Sequence, residues 1–305
     1  MMVVVFMGTP DYATCILKEL IKDKDISVPL LVTQEDKKVG RKQVLTPPHT
    51  KDYVLKNDLY IEIYQPKSLK NDEAYEKIKS YNPDFIVVAA FGKILPKSIL
   101  DIAPCINLHA SLLPKYRGAS PIQSSLLNSD EFAGVTSMLM EEGLDTGDML
   151  GFSYIELDEH IRVGELFEKL SQMAAKLTIK TLKNFDAIYP LKQLNCDTSY
   201  AKKITKQDGL VDFEKDSANE IYTKFKAYTP WPGIFLENGL KLKEIELVKG
   251  IGKPNSIIAI EDESIIVTCK SGALRLNMVQ PSSKKPMSGV DYIRGKRLEL
   301  GNSLV

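Results

Sequence analysis

The sequence predicts an α/β chain: a mainly parallel sheet with helices on both faces, followed by a smaller C-terminal β-barrel. Three observations carry this. Fully apolar, β-branched runs such as MVVVFM, ISVPLLVT and DFIVVAAF recur through the first half of the chain. Strands with no polar face belong to sheets covered on both sides. Helical patterns separate most of these runs, as parallel crossovers require. Late in the chain the text changes to short apolar runs punctuated by glycine and proline, the signature of a small barrel. The first part is therefore Rossmann-like and the second OB-like in type.

In chain order, MVVVFM (2–7) is the first strand and YATCILKELIKD (12–23) its helix; ISVPLLVT (26–33) and LYIEIYQ (59–65) follow as strands. EAYEKIKSY (73–81) reads as a helix, and DFIVVAAF (84–91), CINLH (105–109) and GVTSMLME (134–141) as strands. From Ile161 to about Tyr189, apolar residues three and four apart predict one long amphipathic helix. Polar text from Pro190 reads as a linker or strap. The predicted division is a catalytic domain over 1–189, a linker over 190–206 and a barrel over 207–305. In the last, SANEIYTKFKAY (217–228) reads as a helix among the strands GIFLEN, LKLKEIELV, SIIAIEDESIIVTC and ALRLNMVQP.

Lysine plus arginine and aspartate plus glutamate both number 40 in 305 residues, so a general polyanion binder is disfavoured and any nucleic-acid site must be local. Cys15, Cys105, Cys196 and Cys269 form no CxxC pair, which argues against a zinc site or a disulfide framework. No apolar run approaches the roughly 18 residues of a membrane span. The expected location is the cytoplasm, the expected state a monomer, and no metal is expected. The turn MGTPDYA after the first strand lacks the second and third glycines of GxGxxG, so a dinucleotide is not predicted.

The chemistry concentrates at the end of CINLH. Strand periodicity puts Asn107 and His109 on one face, beyond which ligands of parallel sheets sit. GLDTGD (143–148) brings Asp145 after the next strand. A carboxylate can orient an imidazole, the imidazole can move a proton, and an amide N–H can stabilise an oxygen that becomes negative. Ser111 is near but lacks the glycine elbow of a serine hydrolase. These groups suit an acyl or formyl group passing directly to an amine.

INLHASLLPKYRGASPIQ (106–123), followed by EEGLDTGD (141–148), closely resembles the signature of the 10-formyltetrahydrofolate-dependent formyltransferases. The resemblance implies that Asn107, His109 and Asp145 are the catalytic trio. It implies 10-formyltetrahydrofolate as donor, lying along AAFGKILP (89–96) and SLLP (111–114), with contacts from Phe91, Gly92, Ile94, Ser111, Leu112, Leu113 and Pro114.

Two features point to methionyl initiator tRNA as the acceptor. EDKKVGRKQVLTPPHTK (35–51) is basic, and Gly40, Pro47 and Pro48 predict an irregular, mobile loop. It resembles the RNA-entering loop of methionyl-tRNA formyltransferases, with Arg41 at the functional arginine and Lys42 and Lys51 as further contacts. Lys42 stands where that branch usually has glycine, and Gln43 and Val44 replace commonly basic positions. KKITKQDG (202–209) and the PWPG turn (230–233) resemble the same branch's second domain, with Lys206 as an RNA contact. From residue 200 onward 17 basic residues face 13 acidic ones, a mild bias toward phosphate. The alternative acceptor is an amino-sugar nucleotide, formylated from the same folate.

Overall fold

The computed structural model describes residues 1–40 and 42–305. The predicted first strand is β1 (Met2–Gly8), followed by α1 (Asp11–Lys22) and β2 (Ile26–Val32). A short hairpin, β3 (Lys37–Val39) and β4 (Val44–Thr46), precedes α2 (His49–Lys56) and β5 (Glu62–Tyr64). Then come α3 (Asp72–Lys79), β6 (Phe85–Ala89), α4 (Lys97–Leu100) and β7 (Cys105–His109). The two-residue β8 (Arg117–Gly118), α5 (Pro121–Leu127), β9 (Phe132–Leu139) and β10 (Met149–Glu156) lead to α6 (Val163–Lys183).

Seven of these strands make one sheet in the order β10-β9-β7-β6-β1-β2-β5. From β5 to β7 every neighbour is parallel, whereas β9 runs antiparallel to both β7 and β10. One face packs Val5, Met7, Leu30, Val32, Ile86, Val88 and Cys105 against Ala74 and Ile78 of α3 and Ile99 of α4. On the other side, the Tyr12 ring of α1 meets Phe167 of α6 edge-on at 6.1 Å, and Thr181 of α6 donates to Ser137 of β9 at 3.1 Å. The expected double cover is thus present.

The hairpin corrects one expectation. An irregular loop is expected over residues 35–51, yet Lys37 pairs Thr46, Lys38 pairs Leu45 and Val39 pairs Val44. Gly40 (φ +72°) and Gln43 (φ +51°) supply the positive dihedrals that a tight connection between twisted strands needs. Gly40 therefore helps close a hairpin instead of preventing one, while Pro47 and Pro48 lie between β4 and α2.

The chain divides into two compact units, with 1–122, 131–157 and 165–202 in the first and 123–130, 158–164 and 203–305 in the second. The strap read as a linker is divided at Lys202. Its first part lies on the first unit: Leu191 bridges Met149, and β11 (Tyr200–Ala201) pairs in parallel with β8.

The second unit contains α7 (Ala218–Tyr228), β12 (Ile234–Phe235), β13 (Lys241–Val248), β14 (Ile257–Ile260), β15 (Ile265–Thr268), β16 (Ala273–Gln280), β17 (Met287–Ser288) and α8 (Gly289–Lys296). Its strands form an antiparallel six-stranded sheet consistent with a barrel-like domain. Ser217 caps α7 in a reciprocal box with Glu220, so this helix begins where the sequence signal put it. Among the described residues, no helix is long and apolar enough to cross a membrane.

Candidate active site

β7 carries Asn107 and His109 to its carboxyl end, where both are nearly buried at 9% and 6% exposure. Asn107 sits in register with Val88 of β6 and Met138 of β9, and His109 opposite Thr136. Two polar groups at the end of an apolar strand need partners, because a buried polar group without one is costly.

Asp145 is the shared partner. Its Oδ1 accepts from Asn107 Nδ2 at 3.2 Å, its Oδ2 accepts from the Gly118 backbone N–H at 2.8 Å, and Oδ2 lies 3.6 Å from His109 Nδ1. The three residues predicted from sequence therefore meet at one carboxylate. Gly118 can serve only as glycine: its φ is +115°, and a Cβ there would lie 2.6 Å from the Ala201 carbonyl oxygen.

The other imidazole nitrogen, Nε2, is 2.8 Å from the Tyr116 carbonyl oxygen. A carbonyl only accepts, so Nε2 carries a hydrogen and the neutral ring presents its lone pair at Nδ1. The tautomer is thus set by a backbone carbonyl, and Asp145 faces the basic nitrogen. Asn107 commits one amide hydrogen to Asp145, and its amide nitrogen has a second to give.

The turn after β7 is pinned by Thr136 of β9. Its hydroxyl donates to the Ser111 carbonyl at 2.7 Å and accepts from the Leu113 N–H at 3.0 Å. The Ser111 hydroxyl donates to the Lys115 carbonyl at 2.6 Å, so it stabilises the turn. Leu112 and Pro114 are half-buried at its rim, and Leu113 is buried.

Beyond β6, Ala90 (φ +44°) and Gly92 (φ +77°) turn the chain sharply. The Phe91 ring is buried in the core and its carbonyl accepts from Gln34 Nε2 at 2.7 Å, whereas Ile94 is 80% exposed. An exposed isoleucine on a tight turn at the strand ends offers a flat ring an apolar edge. Of the expected apolar contacts, Ile94 offers such surface; the Phe91 side chain is core.

The predicted RNA contacts differ among themselves. Arg41 lies outside the described residues. Lys42 is exposed, as are the apolar Val39, Val44 and Leu45 of the hairpin. Lys51 is instead tied at the hairpin base, donating to both Asp36 oxygens at 2.8 and 3.0 Å and to Gln65 Oε1 at 2.8 Å. In the second unit, Lys206 is exposed, with its ammonium 5.8 Å from the Phe235 ring centroid.

Sequence reasoning left out the supports: Tyr116 and Gly118, which act through backbone atoms, and Gln193 and Arg117. The RGASPIQ motif carried Arg117 and Gly118, but nothing in it says what they hold. Among the described residues, no group of three or more His, Cys, Asp and Glu could hold a metal ion.

Residues 1–182 match the formyl transferase family and residues 203–297 its C-terminal domain. The methionyl-tRNA formyltransferase of Campylobacter lari is 56% identical over 303 residues, covering 99% of each chain. That of a Nitratiruptor species is 53% identical over 98% of this chain and 99% of its own. Among solved structures, an N-formyltransferase from Helicobacter canadensis in complex with folinic acid and dTDP-3-aminofucose shares the fold, with TM-score 0.66 and 18% identity over 90% of this chain and 99% of that one. Aquifex aeolicus HypX in complex with tetrahydrofolic acid aligns with TM-score 0.64 and 14% identity over 96% of this chain, which spans 47% of HypX. With both domains matched and over half its residues shared end to end with such relatives, the chain belongs to the formyltransferase family, in its methionyl-tRNA formyltransferase branch.

Proposed function

We propose that the chain transfers the formyl group of 10-formyltetrahydrofolate to the α-amino group of methionyl initiator tRNA. The observation that carries this reading is the convergence of Asn107 and His109 on Asp145 within a chain that matches methionyl-tRNA formyltransferases over its whole length. The solved amino-sugar formyltransferase is under one-fifth identical and supports the fold alone.

Each residue has one task. Nδ1 of His109 takes the proton that the attacking amine loses, and the new N–H then lies against the Asp145 carboxylate. That proton is returned from Nδ1 to the departing folate nitrogen. The second amide hydrogen of Asn107 meets the formyl oxygen as it becomes negative. Ile94 and the SLLP turn hold the folate ring, while the basic hairpin and Lys206 take phosphates of the acceptor.

The test is transfer from 10-formyltetrahydrofolate to methionyl initiator tRNA, run beside an amino-sugar nucleotide and glycinamide ribonucleotide. Transfer to the tRNA alone is expected. Transfer to a small acceptor in its place overturns the assignment of substrate.

A further inference from the structure

We propose that Gln193, on the strap after α6, is a positioning residue for formyl transfer that sets the Asp145 carboxylate. The proposal rests on the catalytic reading of Asp145.

Asp145 stands at φ +53°, a region that non-glycine residues adopt only when their surroundings hold them there. Gln193 supplies that hold. Its Nε2 donates to the Asp145 carbonyl at 2.9 Å and to the Gly147 carbonyl at 2.8 Å. Its Oε1 accepts from Arg117 Nε at 2.9 Å and Nη2 at 2.8 Å. Two donors and two acceptor positions are all a primary amide has, and all four are used.

The arrangement has one orientation. Arg117 only donates and the two carbonyls only accept, so a flipped amide would set oxygen against oxygen and N–H against N–H. Arg117 is itself buried at 4% exposure, next to the Gly118 N–H that holds Asp145 Oδ2. A single amide thereby fixes the backbone of Asp145, while its neighbours fix the carboxylate. The opposite side of the loop is closed as well: a Cβ on Gly147 would collide with the Leu139 carbonyl, and Leu139 N–H donates to the Asp148 carbonyl at 2.9 Å. With the loop caught between strap and β9, its position depends on whether Gln193 can donate.

Gln193→Glu is the discriminating change, because a carboxylate keeps a partner for Arg117 but repels the two carbonyls. With the full chain, kcat is expected to fall about a hundredfold, the loss typical of a reacting group displaced by roughly an ångström. KM for both substrates should stay within about twofold, since neither is held by Gln193. The His109 ring signals should move in 15N NMR, which three histidines keep tractable. Gln193→Met, which removes every hydrogen bond, should lower kcat at least as far.

Turnover within about twofold of the parent in both variants, with Asp145→Asn inactive, overturns the proposal. Lost turnover with unmoved His109 signals and a lowered unfolding midpoint makes Gln193 merely structural and overturns it too. If Asp145→Asn keeps full turnover, the catalytic reading falls first, and the role of Gln193 falls with it.

Discussion

His109 Nε2 lies 2.8 Å from the Tyr116 carbonyl oxygen, and this contact decides which ring nitrogen keeps its lone pair. The hydrogen must sit on Nε2, which leaves the Nδ1 lone pair, 3.6 Å from Asp145, for the proton transfer proposed above. The neutral ring should therefore show the Nε2–H tautomer by 15N NMR. His109→Gln, whose amide reaches the Nε2 position, should fold normally yet lose about 100-fold to 10,000-fold in kcat, the usual value of a proton-transfer group. An Nδ1–H tautomer would reverse the assignment.

Asn107→Ala removes both the donor proposed for the developing oxyanion and the Asp145 hydrogen bond at 3.2 Å. Loss of one such donor costs about a hundredfold or more in kcat. Affinity for tRNA, read by filter binding, should be unchanged. Near-full turnover would show that the formyl oxygen is stabilised elsewhere.

Lys42 of the hairpin connection and Lys51 of α2 should separate by kind. Lys42 is exposed, so Lys42→Glu should weaken tRNA binding and lower the log–log salt slope by about one for each phosphate that is no longer neutralised. Lys51 is paired with Asp36, so Lys51→Ala should disturb the hairpin base while leaving the salt slope nearly intact. Equal slopes for both variants would contradict this. Arg41→Ala should cripple transfer to tRNA and barely affect a small amine acceptor.

Acid should loosen the same base. Hydrogen bonds from Gln65 and then Lys51 hold the Asp36 carboxyl below its ordinary range. A depressed folded pKa stabilises the fold above the unfolded value of about 3.9, and that stability is lost as pH falls through the folded value. Protection of residues 34–39 from hydrogen exchange, taken relative to the intrinsic rate at each pH, should therefore fall below about pH 4. Asp36→Asn should abolish this pH dependence.

What the sequence reveals depends on whether burial leaves a pattern. β1 and β6 are covered on both faces, so they read as unbroken apolar runs. β10 ends the sheet and alternates exposed Phe152 and Tyr154 with partly covered neighbours, which leaves no such run. The two-residue β8 and β11 are too short for any periodicity. The convergence of Asn107, His109 and Asp145 was legible because residue types and a motif coincide. Gln193 was not, because its partner Asp145 lies 48 residues upstream and a glutamine in polar text carries no local sign. The hairpin was misread because glycine at a turn and glycine in a loop look alike until the flanking strands are seen to pair.

The strap also redraws what counts as a portable module. A fragment ending at residue 182, where the first family match stops, would keep Asn107, His109 and Asp145. It would discard Leu191, Gln193 and the Tyr200–Ala201 strand, which bridge or clamp Met149, the Asp145 loop and β8. Chimeras that exchange C-terminal units between relatives should therefore be joined after Lys202, so that each catalytic unit travels with its own strap.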